Sequence, residues 1–203
     1  MQQAIIIFVR KPILGQVKTR LAATIGNPKT LEVYNHLLLH TKAITELVEA
    51  DKFVFYTNAI EQHDLWHGYH KQVQVAGDLG FKMSAAFKHV FSLGYSKVCI
   101  IGSDCYDLNA TIITNAFDAL HEHDVAIGPA NDGGYYLLAM RSYYQQLFEH
   151  KVWSSSTVYN HTVQDCVSLN LHTFILPTLI DIDDIHDLKL TNLYTLLNLD
   201  NNL

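Results

Sequence analysis

The chain has 203 residues, of which 49% are apolar and 17% charged, and its 14 Lys and Arg against 20 Asp and Glu give a formal net charge of -6. The apolar content excludes a disordered chain, and the acidic balance excludes a protein that coats nucleic acid, since such binding draws its affinity from Lys and Arg on phosphates. A small anionic ligand held at one place is still allowed.

Residues 4–9 form a continuous apolar, β-branched run with no basic region ahead of it. It is far shorter than the ~20 residues that cross a bilayer, so it reads as the first buried strand of a cytoplasmic protein with no membrane partner. Apolar positions Tyr34, Leu37, Leu38, Ile44, Leu47 and Val48 follow helical spacing over residues 30–50, and residues 52–57 return to strand character. The alternation continues with a strand at 72–75, a helix at 82–93, a strand at 97–101 and a helix at 111–121. Two further strands, 125–128 and 135–140, flank a turn at Asn131, Asp132, Gly133 and Gly134, which suggests an antiparallel insertion. A helix at 155–167, a strand at 171–176 and a last helix from about Asp184 complete the chain, whose Asn-rich end from Asn198 to Leu203 is expected to be disordered. Strands alternating with helices predict a three-layer α/β sandwich with a mostly parallel central sheet, and the length fits one domain over residues 1–203.

Three cysteines, Cys99, Cys105 and Cys166, lack CxxC spacing and read as reduced thiols. His63, His67 and His70 read either as imidazoles on one helical face, as zinc would need, or as an exposed connector. Trp66 and Trp153 read as packing residues, and the serines and threonine at 154–157 as a helix cap.

Chemistry concentrates in four clusters. The first strand runs into a loop with Arg10, Lys11, Gly15, Lys18 and Arg20, where ligands of open α/β sheets bind. Arg10, Lys18 and Arg20 are candidates to grip a diphosphate, with Gly15 letting the backbone approach; the alternative is a solvated basic loop. After the strand at 97–101 come Ser103, Asp104 and Asp107; Asp104 is placed to hold Mg²⁺ or Mn²⁺ through oxygen, and Asp107 to cap the next helix. In the third cluster, Gly133 and Gly134 open backbone N–H groups to a ligand and Asp132 is a candidate base, although a plain hairpin turn explains the same residues. The fourth gathers Asp181, Asp183, Asp184 and Asp187; a metal shared with Asp104 would relieve the repulsion at Asp181 and Asp183, while Asp184 also reads as a helix cap.

These clusters, in this order, resemble a bacterial family of glycosyltransferase-like proteins described as a domain of unknown function within the nucleotide-diphospho-sugar transferase superfamily. The similar motifs are FxRxPxxGxxKTRL from Phe8, GDLGxxM from Gly77, GSDC from Gly102, GPAxDGGYYL from Gly128 and DIDxxxDL from Asp181. The resemblance implies a GT-A type fold and a nucleotide-diphosphate donor. It places Arg10, Lys11, Gly15, Lys18 and Arg20 on phosphate, adds Gly77, Asp78, Lys82, Ser103, Gly133 and Gly134 as ligand-binding positions, and sets Asp104, Asp181 and Asp183 at the metal. Two residues depart from the pattern: Lys82 replaces an arginine, keeping the charge but not the fork of donors, and Tyr106 replaces a proline. The leading expectation is a metal-dependent glycosyltransferase using a nucleotide-diphospho-sugar donor and a small-molecule acceptor. Asp104, Asp132 and Lys18 are its candidate catalytic residues, and a homodimer is left open. The alternatives are a nucleotidyltransferase that releases pyrophosphate and a non-catalytic nucleotide-binding protein.

Overall fold

The structure, a computed structural model, describes residues 2–197 and Leu199. Apart from Leu199, the Asn-rich tail named above lies outside these residues. In chain order the elements are β1 (Gln3–Val9), α1 (Thr19–Ile25), α2 (Asn27–Glu46), β2 (Asp51–Tyr56), β3 (His70–Val73), α3 (Leu79–Ser92) and β4 (Lys97–Ile101). They continue with α4 (Ala110–Ala119), β5 (Val125–Pro129), β6 (Tyr135–Met140), a 3₁₀ turn (Gln145–Phe148), α5 (Val158–Ser168), β7 (Thr173–Ile175), α6 (Ile185–Lys189) and α7 (Asn192–Leu196).

The strands form a seven-stranded sheet in the order β3-β2-β1-β4-β6-β5-β7. β6 runs antiparallel to β4 and β5, and the other pairings are parallel. Every residue of β4 is buried, as is most of β1, which explains the continuous apolar runs that a strand covered on both faces requires. Within β1 the residues alternate: Ile5, Ile7 and Val9 pack with Tyr34 and Leu38 of α2 and Phe117 of α4, whereas Ala4 and Ile6 pack with Met83, Phe87 and Val90 of α3 and Cys166 of α5. Helices therefore cover both faces. A third cluster joins Leu21 of α1, Leu37 of α2, Leu188 of α6 and Leu193 of α7.

The chain leaves β1 toward β2 on one side and returns to β4 on the other. The carboxyl ends of β1 and β4 thus flank the switch point of the sheet, the crevice in which open α/β sheets bind ligands. The loops after β4 and β7 meet here, since the Ile182 N–H donates to the Asp104 carbonyl at 3.0 Å. The β5–β6 turn joins them through the Asn131 N–H on the Leu179 carbonyl, also at 3.0 Å.

Three expectations need correction. The first loop does not run to Leu21, because α1 begins at Thr19 and packs Leu21 into the third cluster. The cap of α4 is Asn109, whose side chain accepts from the Ile112 N–H at 3.1 Å, and not Asp107. The hydroxyls of residues 154–157 make no capping bond to α5; Ser155 instead donates to the Val152 carbonyl at 2.7 Å. Asp184, by contrast, caps α6 in a reciprocal box with Asp187.

Candidate functional site

Lys18 is the centre of the carboxyl-edge cluster. It precedes α1 with φ 46° and ψ 50°, a left-handed conformation uncommon outside glycine, and only 6% of its side chain is exposed. Its Nζ lies 2.8 Å from Asp104 Oδ2 and 3.2 Å from Asp183 Oδ1. Burial disfavours the ammonium, yet the two carboxylates together outweigh it, and the pKa stands above the ordinary lysine value. Arg20 extends the chain of charges, reaching Asp183 Oδ2 at 3.2 Å and Asp184 Oδ2 at 2.9 Å from an exposed position. The basic segment after β1 is thus tied to the acidic segment after β7, 165 residues away at Lys18 and Asp183.

Asp181 sits beneath this network. Its Oδ1 is buried and has no hydrogen-bond partner among the described residues. Burial first, then the negative charges of Asp104, Asp132 and Asp183, outweigh the pull of Lys18 and push its carboxyl up to about 7. An orphaned carboxylate oxygen beside two further carboxylates fits a hard divalent cation, which takes oxygen ligands. The three are not gathered into a cage: among the described residues no group of three or more His, Cys, Asp and Glu side chains is arranged to hold a metal ion. The Lys18 ammonium stands between Asp104 and Asp183 instead.

The other expected positions divide. Ser103 is buried at the end of β4 and bonds the hydroxyl of Tyr34, which also accepts from the Arg10 N–H at 3.1 Å. Tyr34 thus links the loops after β1 and β4. Sequence reasoning read it only as one apolar position of α2, and its hydroxyl gave no separate signal. The Arg10 side chain is exposed and makes no ion pair among the described residues, leaving it free for a ligand. Lys11 is engaged elsewhere, 2.7 Å from Glu61. Gly15 has φ 76°, a left-handed backbone conformation that favours glycine.

Gly77, Asp78 and Lys82 lie at the amino end of α3, where Asp78 Oδ1 accepts the Phe81 N–H at 2.8 Å as the helix cap. Lys82 is half-buried and makes no ion pair among the described residues. Asp132 is exposed in the β5–β6 turn and accepts the Gly134 N–H through Oδ1 at 2.8 Å, which leaves Oδ2 open. Gly133 has φ 88°, and a Cβ there would lie 2.1 Å from the Ser156 carbonyl oxygen, so the segment before α5 seats directly on this turn. The same segment places Trp153 against Gly80 of α3, where a Cβ would meet indole Nε1 at 2.1 Å. Trp153 therefore packs, as expected, on the second glycine of the GDLGxxM motif.

His63 and His67 are exposed in bends and turns, while His70 opens β3 and stacks on Phe53 with ring centroids 4.6 Å apart, so no helical zinc face forms. Tyr106 packs on His40, centroids 4.7 Å apart. Cys99, Cys105 and Cys166 are buried free thiols whose pKa values burial raises, to about 12 at Cys105, which makes them poor nucleophiles. A cavity of about 400 Å³ lined by Gln146, His150, Lys151, His161 and Asp165 shares no residue with the charged cluster. Among the described residues no helix is long and apolar enough to cross a membrane.

Known proteins share the family and the fold of this chain. The family described as uncharacterized protein conserved in bacteria, DUF2064, matches residues 40–155. A crystal structure from Desulfovibrio desulfuricans, described as a candidate nucleotide-diphospho-sugar transferase, is 30% identical over 99% of this chain and 96% of its own, with a TM-score of 0.88. The fold extends to a CMP:2-keto-3-deoxy-manno-octonic acid synthetase complexed with CTP, 11% identical over 99% of both chains with a TM-score of 0.59. It also extends to a 4-diphosphocytidyl-2C-methyl-D-erythritol synthase from Anaerococcus prevotii, 11% identical over 96% of this chain and 98% of its own, TM-score 0.58. No curated protein matches the chain. With a family match over more than half its length and a full-length relative that places β1 through α7 in the same fold, the chain belongs to the DUF2064 family of the nucleotide-diphospho-sugar transferase superfamily.

Proposed function

We propose that this protein is a transferase that cleaves a nucleotide-diphospho-sugar donor and passes the sugar to a small-molecule acceptor. The observation that carries the reading is the buried ammonium of Lys18, held at the switch point between Asp104 and Asp183 and beside the orphaned Asp181 oxygen. Buried charge gathered where ligands of this fold class bind is costly for stability and is retained where charge develops in a reaction.

In this reading Lys18, Arg20 and the free Arg10 bind the diphosphate and stabilise the negative charge that grows on it as the sugar–phosphate bond breaks. The acceptor hydroxyl oxygen attacks the anomeric carbon, the bond to the β-phosphate oxygen breaks with its electron pair, and the nucleoside diphosphate leaves. Asp132, exposed and with Oδ2 open, takes the hydroxyl proton. The Gly133 and Gly134 backbone and the segment carrying Trp153 and Ser156 wall the acceptor side. Mg²⁺ or Mn²⁺ held by Asp104, Asp181 and Asp183 would supply further charge neutralisation on the diphosphate.

A second reading, nucleotidyl transfer, is favoured by the fold shared with the CTP-complexed synthetase. There an acceptor phosphate oxygen attacks the α-phosphorus of a nucleoside triphosphate and pyrophosphate leaves, with the same cations on the phosphates. Product analysis separates the two. Nucleoside diphosphate released from a diphospho-sugar supports glycosyl transfer, pyrophosphate released from a triphosphate supports nucleotidyl transfer, and no turnover of either donor with Mg²⁺ or Mn²⁺ contradicts both.

A further inference from the structure

Lys18 stands in an unusual place for a phosphate-gripping residue, because its ammonium contacts no open space but the two carboxylates best placed to hold a cation. Three observations fix it there. Its side chain is 94% buried, from an exposure of 6%. Its backbone adopts a left-handed conformation held by the Ala22 N–H on its carbonyl at 2.9 Å. Its partners come from two loops, after β4 and after β7, that are themselves joined by the Ile182 to Asp104 hydrogen bond. A divalent ion on Asp104 and Asp183 would lie against this ammonium, and the like charges would repel strongly in so enclosed a place.

We infer that Lys18 is a built-in counter-ion that occupies the cation's place and keeps the free site from binding bare divalent metal, so that metal enters as a complex with the nucleotide's phosphates. The inference rests on the transferase reading for its ligand. Lysine suits the role because its ammonium is a compact charge on a flexible four-carbon stem, able to swing from carboxylate to phosphate. Lys18 turns from Asp104 and Asp183 to the arriving phosphate oxygens, which would leave the two carboxylates free to hold the metal. Each anion keeps a cation throughout. Mg²⁺ commonly binds through carboxylates together with substrate phosphates, and the carboxylates left when the lysine moves aside are Asp104 and Asp183 beside Asp181.

The test is a titration of the full chain with Mn²⁺ alone, followed by the electron paramagnetic resonance of the free ion, for wild type, Lys18→Gln, Lys18→Met and Lys18→Arg. Loss of the ammonium should tighten bare Mn²⁺ binding at least about tenfold in the two neutral variants, while Lys18→Arg stays as weak as wild type. A purely structural lysine would leave metal affinity unmoved or lowered, and that result overturns the inference. Should neither neutral variant fold, wild type and Lys18→Arg decide: bare Mn²⁺ bound by either as tightly as with a panel of nucleoside diphosphates overturns it, and binding that needs the nucleotide supports it. Failure of the transferase reading looks different, since nucleotides would then leave wild-type Mn²⁺ binding unchanged while Lys18→Gln still gains affinity for the bare metal.

Discussion

At the amino edge of the sheet Asp124 is met from every side, whereas at the carboxyl edge Asp181 is buried with one oxygen unmet. Arg141 reaches Asp124 Oδ1 through Nε at 2.8 Å and Nη2 at 2.5 Å, Tyr144 donates to the same oxygen at 3.3 Å, and the His172 N–H donates to Oδ2 at 2.8 Å. Burial raises the Asp124 pKa, but the His172 N–H and the guanidinium outweigh it and hold the carboxyl below the usual range. Asp181 has no such donors, and burial with three neighbouring acids pushes it up to about 7. The same residue type therefore fastens β5, β6 and β7 together at one edge and stores unfavourable electrostatics at the other. Only the second pattern leaves a charge that a bound cation would relieve.

The largest effect expected is on turnover. Asp104→Ala should lower kcat/KM for the donor roughly a thousandfold, the scale of losing a group that stabilises developing charge, while the fold survives. Steady-state kinetics beside circular dichroism checks both halves. At the opposite edge Asp124→Ala should do the reverse: it strands the guanidinium, the Tyr144 hydroxyl and the His172 N–H, costs about 2–3 kcal/mol and lowers Tm by about 6–8 °C, leaving turnover at low temperature intact. If Asp124→Ala abolished turnover in folded protein, the division between the edges would fail.

How much of this was readable beforehand differs between fold and site. The alternation of β1, β2, β4 and β5 with α2, α3 and α4 was legible because buried parallel strands are continuous apolar runs, and the turn at Asn131 to Gly134 into the antiparallel β6 was marked by its residues. The short helix α1 was not, since among Thr19–Ile25 only Leu21 is fully buried and the rest of the helix gives no apolar stripe. At the site, the residue types and their position after β1 and β4 were legible. That Lys18 would turn from solvent onto Asp104 and Asp183 was not, because it depends on loops far apart in sequence meeting at one switch point. The contact of Trp153 with Gly80 is hidden for the same reason.

The pH dependence of stability sharpens the comparison. Because Asp124 has a lowered folded pKa, its contribution is complete above the ordinary carboxylate value near ~4 and fades as pH falls through the depressed one. Asp181 runs oppositely: the folded protein keeps its proton up to about 7 while the unfolded chain releases it near ~4, so its cost is absent in acid, grows over that interval and is constant above it. In chelator, Asp181→Asn should therefore raise Tm by about 10 °C at about pH 8 and leave it unchanged at about pH 4. Equal shifts at both would show that Asp181 is not held protonated by its surroundings.

The smallest effect expected on stability is at Arg20, whose side chain is 67% exposed over Asp183 and Asp184. Arg20→Ala should change stability by less than about 1 kcal/mol, as exposed pairs do, yet raise KM for the donor about tenfold through loss of one charge-assisted phosphate contact. An unchanged KM would confine phosphate binding to Lys18 and Arg10.

The central claim is that the carboxyl-edge cluster binds a nucleotide donor together with a divalent metal. Its most direct test is the melting temperature of wild type and Asp104→Ala with nucleoside diphosphates, triphosphates and diphospho-sugars, each with and without Mg²⁺ or Mn²⁺, since a ligand that binds only the folded state raises Tm by mass action. The account predicts metal-dependent stabilisation of the wild type by a diphospho-sugar, and its loss in Asp104→Ala. No shift with any of these ligands, or an equal shift in Asp104→Ala, would contradict it.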